Sequence, residues 1–230
     1  MDDLFSPPGA INRSVTRAEV EALAARRLPA TVSDCDLEEA DLSDLDLTGW
    51  TFERCNMRHA RFRSAKLEGT SWRNCRGGFA DFVSADLTES TVLASDFNNA
   101  AFRNAKIGST SFKGCKLTGA DLSDTGAMET RFEETLLINA KLPSFSFRKL
   151  TLRKIDFSQA DLRKCDFRMT VFEECSLRDA NMANARFEGA DLRGADIGGL
   201  RLMDAGLFRG ATISREQAGQ LLGELGLNVR

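Results

Sequence analysis

Large apolar side chains return every five residues along most of this chain. Taking every residue whose number leaves remainder two on division by five, from Val32 to Leu207, gives 36 consecutive positions, and all but Gly77 and Ala127 are large and apolar. A period of five matches neither an α-helix, at about 3.6 residues, nor a strand, at about 2. Each unit must therefore turn a corner and present the same side inward again. Two residues before each centre the side chain is usually small, as at Ala40, Ala60, Ala80, Ala100, Ala120 and Ala160. One large and one small inward residue per unit, with mostly polar residues outside, is the pattern of a solenoid, in which no unit buries a core alone and stacking makes one. The frame runs without insertion or deletion over residues 30–210, which are expected to form one such body. Residues 1–29 are read as an N-terminal segment with a capping helix, and 211–230 as a C-terminal helix.

Units such as "ADLSD" (40–44 and 120–124), "ADLTE" (85–89), "ADLRK" (160–164) and "ADLRG" (190–194) resemble the A(D/N)LXX consensus of pentapeptide-repeat proteins. The resemblance covers residues 30–210. It implies an all-β solenoid, a right-handed quadrilateral β-helix with four repeats per coil, hence about nine coils, with short N- and C-terminal α-helices.

The six cysteines, at 35, 55, 75, 115, 165 and 175, all fall at the small inward position. With four units per coil, residues twenty apart stack, so five of them share one edge and Cys165 faces them from the opposite one. A buried free cysteine acts as a small hydrophobe. No pair has the two- to four-residue ligand spacing of a zinc site, and no cofactor or metal is expected. The one redox alternative is a disulfide joining Cys35 to Cys55 or Cys55 to Cys75.

Two core positions need compensation. Phe145, at a small position one coil after Ala127, is expected to lean into the space beside Ala127, and with Leu150 and Ile155 to widen the corners there. Gly77 is compensated if Phe79 folds inward; otherwise Phe79 stays outside as a contact residue.

An open solenoid needs capped ends. Thr16-Arg17-Ala18-Glu19 fits a capping box and Val15 with Val20 a hydrophobic staple, opening a helix that Pro29 stops. Ser214-Arg215-Glu216-Gln217 fits a second box, followed by Ala218, Leu221, Leu222 and Leu225 at helical spacing and Gly226 at the C′ position. The tail resembles that of the Qnr and MfpA group, which implies a homodimer interface built from Phe208, placed outward by the frame, with Leu221, Leu222 and Leu225. A simple cap is the alternative.

Residues 31–210 carry 28 acids and 25 bases, so no global field favours nucleic acid or an anionic membrane. Along the chain the signs separate. Asp36, Glu38, Glu39 and Asp41 belong to an acidic first coil, while Arg148, Lys149, Arg153 and Lys154 begin a basic girdle; these and Phe79 are the candidate partner surface. The acidic start "MDDLFSPPGA" is not a signal peptide, and no apolar run is long enough to span a membrane. A cytoplasmic, bacterial location is expected, with export as an effector the alternative.

His59, the sole histidine, has no nucleophile placed beside it by a recognisable motif, and no phosphate loop appears. Catalysis is not expected. Non-catalytic protein binding is. The Qnr/MfpA resemblance implies a DNA-mimic-like protein that binds a type II topoisomerase such as DNA gyrase and modulates inhibitor sensitivity, although the weakly acidic surface fits a DNA mimic poorly. The alternative is an interaction scaffold or secreted adaptor unrelated to topoisomerases.

Overall fold

The computed structural model describes residues 9–11, 14–199, 206–224 and 226–229. The chain is a parallel all-β solenoid of about eight turns with two short helices. It divides into two compact units, residues 1–131 and 132–230, built from the same coil.

In the first unit, β1 (Gly9–Ile11), β2 (Thr31–Ser33), β3 (Thr51–Glu53), β4 (Ser71–Arg73), β5 (Thr91–Leu93) and β6 (Ser111–Lys113) pair in parallel. From β2 onward the register is twenty residues, as in Val32 to Phe52 to Trp72. The other three sides of each coil carry single bridges at the same offset, such as Asp41 to Arg61 to Asp81. Four five-residue units thus make one turn. Helix α1 (Arg17–Ala24) starts at the expected box: Glu19 N–H donates to Thr16 Oγ1 at 3.4 Å and Thr16 N–H to Glu19 Oε2 at 2.8 Å. Val15 and Val20 are buried. Arg17 reaches from this helix to donate to the carbonyls of Asp41 (2.7 Å) and Ser43 (3.2 Å), acceptors that no earlier turn serves. Strand β1, which the five-residue frame does not reveal, adds a further backbone layer beneath β2.

In the second unit, β7 (Arg131–Glu133), β8 (Thr151–Arg153) and β9 (Val171–Glu173) pair in parallel, and β10 (Cys175–Ser176) pairs with β11 (Ala195–Asp196). Helix α2 (Arg215–Glu224) begins with Ser214 N–H donating to Gln217 Oε1 (2.7 Å) and Gln217 N–H to Ser214 Oγ (3.1 Å). It ends with Leu227 N–H bonded to the Leu222 carbonyl and Gly226 N–H to that of Gly223, Gly226 taking φ +79°. This is the Schellman arrangement, for which a residue without a Cβ is best suited.

The frame does not run unbroken to residue 210. Ala195 still lies twenty residues from Cys175, but Thr212 bridges Asp191 at an offset of twenty-one, and Thr212 N–H donates to the Ala190 carbonyl across twenty-two residues where earlier turns use twenty-one, as Asp81 does to Ala60. One extra residue has entered the last turn. Phe208, not Leu207, therefore stands over Phe187, with ring centroids 4.5 Å apart. Phe208 is stacked within its own chain rather than set outward.

The centres form internal columns of rings: Phe62, Phe82 and Phe102 with successive centroids 4.9 Å apart in the first unit, and Phe147, Phe167 and Phe187 at 5.0 and 4.9 Å in the second. Phe145 does turn inward, 5% exposed, against Phe132 and Phe147, whereas Ala127 is only half-buried. Phe79 does not fold in. It stays 52% exposed, and the space at Gly77 is filled from the next turn by Phe97, whose Cε1 would lie 2.2 Å from a Cβ at Gly77.

A candidate partner-binding surface

The repeat assigns every residue to the inside or the outside, and each set has its own chemistry. Inside, all six cysteines are free and buried. Each of five thiols donates to the centre carbonyl of the preceding turn, as Cys55 does to Val32 (3.2 Å) and Cys165 to Leu142 (3.1 Å). Thr110, Thr130 and Thr170 occupy equivalent positions and make the same bond with their hydroxyls, at 2.7, 2.6 and 2.7 Å. The small position is thus mostly filled by a donor or an alanine, with Trp50, Phe145, Leu150 and Ile155 among the exceptions. Burial pushes the Cys115 thiol up to about 11 and that of Cys165 up to about 12, far from the range in which a thiolate reacts. Cys55 is raised by its hydrogen bond with Cys75 and by burial. Among the described residues no His, Cys, Asp and Glu group is arranged to hold a metal ion, and no helix is long and apolar enough to cross a membrane.

Outside, the aspartates that follow the small residue have a backbone task. Asp41, Asp81, Asp121, Asp161 and Asp191 each accept the N–H two residues on, at 3.0–3.2 Å. These are Asx turns, and they hold the corner where the third residue after the aspartate enters the left-handed region, at φ +64° for Asp44 and +62° for Ser84 and Lys164.

Many outward charges also meet an opposite charge one turn away. In the first unit Asp34 pairs with Arg54 (2.7 Å), Asp46 with Lys66 (3.3 Å) and Asp86 with Lys106 (3.0 Å). In the second Arg153 pairs with Glu173 (2.7 Å) and Arg178 with Asp196 (2.9 Å). The Asp34 carboxyl is held below its ordinary range by the Arg54 guanidinium, and Asp161 by that of Arg163. Each exposed pair contributes little to stability because solvent screens it, but together they remove free negative charge from the surface.

The candidate residues are distributed accordingly. Asp36, Glu38, Glu39 and Phe79 share one side of the first unit, and Asp41 lies on the next. Asn56 Nδ2 donates to Asp36 (3.0 Å) and Glu38 (2.9 Å), while Arg61 and Arg17 flank Asp41 at 3.2 and 3.5 Å. Phe79 stacks on His59, centroids 5.1 Å apart and planes 7° from parallel. In the second unit Arg148 and Lys149 precede a corner and Arg153 and Lys154 follow it; among the described residues only Arg153 of these four is in an ion pair. Of the residues read as a dimer face, Phe208 is stacked on Phe187 and Leu221 is half-buried. Leu222 is exposed, and Leu225 lies outside the described residues. Sequence reasoning gave Gln217 its place in the capping box but missed its second task. Its side chain is buried and donates to the carbonyls of Leu192 and Ala195, both at 2.7 Å, closing the end of the last turn.

These features define a solenoid whose interior is packed throughout and whose outward side chains carry what varies. The chain belongs to the pentapeptide-repeat family: the model for pentapeptide repeats matches it in eight copies, over residues 30–58, 55–92, 95–126, 130–168, 146–179 and 170–205. Among solved structures it is similar to a trypsin-treated form of QnrB1, a plasmid-mediated fluoroquinolone resistance protein, at 19% identity and TM-score 0.69, covering 98% of this chain and 99% of that one. It is also similar to full-length QnrB1, at 18% identity and TM-score 0.59 over 96% of this chain and 99% of that one. A third is HetL, a pentapeptide-repeat protein involved in heterocyst differentiation regulation from the cyanobacterium Nostoc sp. strain PCC 7120, at 22% identity and TM-score 0.65 over 83% of this chain and 87% of that one. At these identities the likeness establishes a shared fold. No curated protein matches the chain in sequence.

Proposed function

We propose that this protein acts in the bacterial cytoplasm by binding another protein through its outward residues, without catalysis, and that its partner is a type II topoisomerase, DNA gyrase in the most specific form. The observation that carries the specific reading is the end-to-end correspondence with QnrB1, over 98% of this chain and 99% of that one. On that reading the bound protein alters the sensitivity of gyrase to fluoroquinolones. Export is not part of it. A second copy is expected to join through the C-terminal end, where Ile213, Leu222, Leu227 and Val229 are 36–55% exposed; sedimentation as a monomer at micromolar concentration would contradict that.

The charge ladders favour a second reading. A DNA mimic should display unneutralised negative charge along its length, and here Asp34, Asp46 and Asp86 each sit within 3.3 Å of a cation. An interaction scaffold or adaptor with another partner fits such a surface. Supercoiling by purified gyrase, with and without a fluoroquinolone, separates the two. Inhibition or drug protection at micromolar protein supports the gyrase reading, and neither effect leaves the scaffold reading.

A further inference from the structure

Phe79 and His59 are the two aromatic residues at the left-handed corner position of the first unit, with φ +61° and +56°. That position elsewhere in the unit holds Gly49, Gly69, Glu89, Asn99, Asn104 and other small or polar residues. A bulky side chain is disfavoured at positive φ, and an aromatic ring left half in water forgoes burial. Phe79 bears both costs. Twenty residues separate it from His59, so the ladder stacks the two rings face to face, 5.1 Å between centroids, and leaves the half-exposed Phe79 as the apolar part of this platform.

Beside the platform is a shallow hollow of about 220 Å³ lined by Arg58, Arg76, Gly78, Phe79, Asp96 and Asn98. Gly78 supplies no side chain, which keeps the hollow open. Arg58 and Arg76 are exposed, and neither guanidinium has an ion-pair partner among the described residues, unlike Arg54, Arg61 and Arg63 around them. Unpaired cations beside an exposed ring form a surface that complements an anionic group attached to an apolar one. The cationic zone is short. Asp36, Glu38 and Glu39 lie on the same side one turn before Arg58, and Asp96 one turn after Arg76. With turns about 4.8 Å apart, a polyphosphate strand laid along the ladder would meet these carboxylates, whereas a segment with one or two carboxylates would not.

We infer that the Phe79–His59 platform with Arg58 and Arg76 is a docking site for a short acidic peptide segment, one that places an aromatic or aliphatic side chain on Phe79 and a carboxylate between the two guanidinium groups. The inference rests on the reading that the protein binds other proteins, but not on the identity of the partner.

The test is fluorescence anisotropy with three labelled probes: an eight-residue peptide with Asp and Glu around a central Phe-Leu, the same peptide with Lys in place of the acids, and a short oligothymidylate. The acidic peptide should bind the wild-type protein at micromolar concentration. Phe79→Asn, which suits the left-handed corner, and the double change Arg58→Glu with Arg76→Glu should each weaken it at least about tenfold, with unaltered circular dichroism and with Phe79→Asn melting no lower than the wild type because it relieves the corner residue. Acidic-peptide binding no tighter than that of the lysine peptide, or unchanged by Phe79→Asn, would overturn the inference, as would preferential binding of oligothymidylate. Supercoiling assays on the same wild-type preparation report separately on the proposed function. Gyrase inhibition together with a failed peptide titration would reject this site and leave that function standing.

Discussion

The ring of Phe97 occupies the place of the side chain that Gly77 lacks: a Cβ at Gly77 would lie 2.2 Å from Phe97 Cε1 and 2.4 Å from Cδ1. What looks like a gap in the repeat is one half of a matched pair, in which the missing centre of one turn accommodates an oversized centre of the next. Restoring the consensus with Gly77→Leu should overpack the core and destabilise the protein by about 1–3 kcal/mol. Gly77→Leu combined with Phe97→Leu should recover most of that loss. Urea midpoints for both variants decide it, and an additive double variant would show that the two positions are not coupled.

Cys165 illustrates the interior rule. Its thiol donates to the Leu142 carbonyl at 3.1 Å in a fully buried site. Cys165→Ala should cost about 1 kcal/mol through the lost bond and the small void, while Cys165→Ser should retain the donor and cost less. A thiol reagent at neutral pH should modify none of the six cysteines at the rate of an exposed thiol until the protein unfolds, since all are at most 5% exposed.

The ends depend on Gln217. Its amide satisfies the carbonyl of Ala195 and adds a second bond to that of Leu192, which also accepts from Ala195 N–H, and leaving a buried carbonyl unpaired costs about 1–3 kcal/mol. Gln217→Ala should lower amide-exchange protection in residues 190–196 and in α2 well before the first unit is affected. Equal loss of protection everywhere would mean that α2 is not a local cap.

Stability should fall in acid for a stated reason. Asp161, Asp166 and Asp191 are held below their ordinary value, about 3.9, chiefly by hydrogen bonds from the guanidinium groups of Arg163, Arg168 and Arg193. A carboxyl whose folded value is depressed stabilises the fold above the unfolded value and loses that contribution as pH falls through the folded one. The melting temperature should therefore be nearly flat between pH 7 and about 5 and decline below about 4. Arg163→Gln and Arg193→Gln together should reduce the size of the acid-dependent decline.

Much of this was legible in the period of five. It places Leu37, Phe62 and Phe167 inside and Arg58 and Lys149 outside without reference to any local propensity, because a corner every five residues leaves only one way to bury the centres. The ladder partners follow once a turn is twenty residues long: Asp46, Lys66, Asp86 and Lys106 alternate in sign at that spacing. Three features were not legible. The extra residue in the last turn puts Phe208 over Phe187, but Leu207 is just as apolar, so composition cannot reveal the slip. Strand β1 is held by backbone pairing with β2 and has no repeat to announce it. Phe79 and Phe97 are both within reach of the space at Gly77, and only the packing of Phe97 against Trp72 and Phe82, at 6.0 and 5.6 Å, decides which of them fills it.

The proposed function is binding of a type II topoisomerase through the outward surface of this solenoid. The most direct measurement is binding of the purified protein to immobilised DNA gyrase, with linear duplex DNA as competitor. Saturable binding at micromolar concentration or tighter, displaced by DNA, is the result expected of that function. Absence of binding, or binding indifferent to excess DNA, would contradict it.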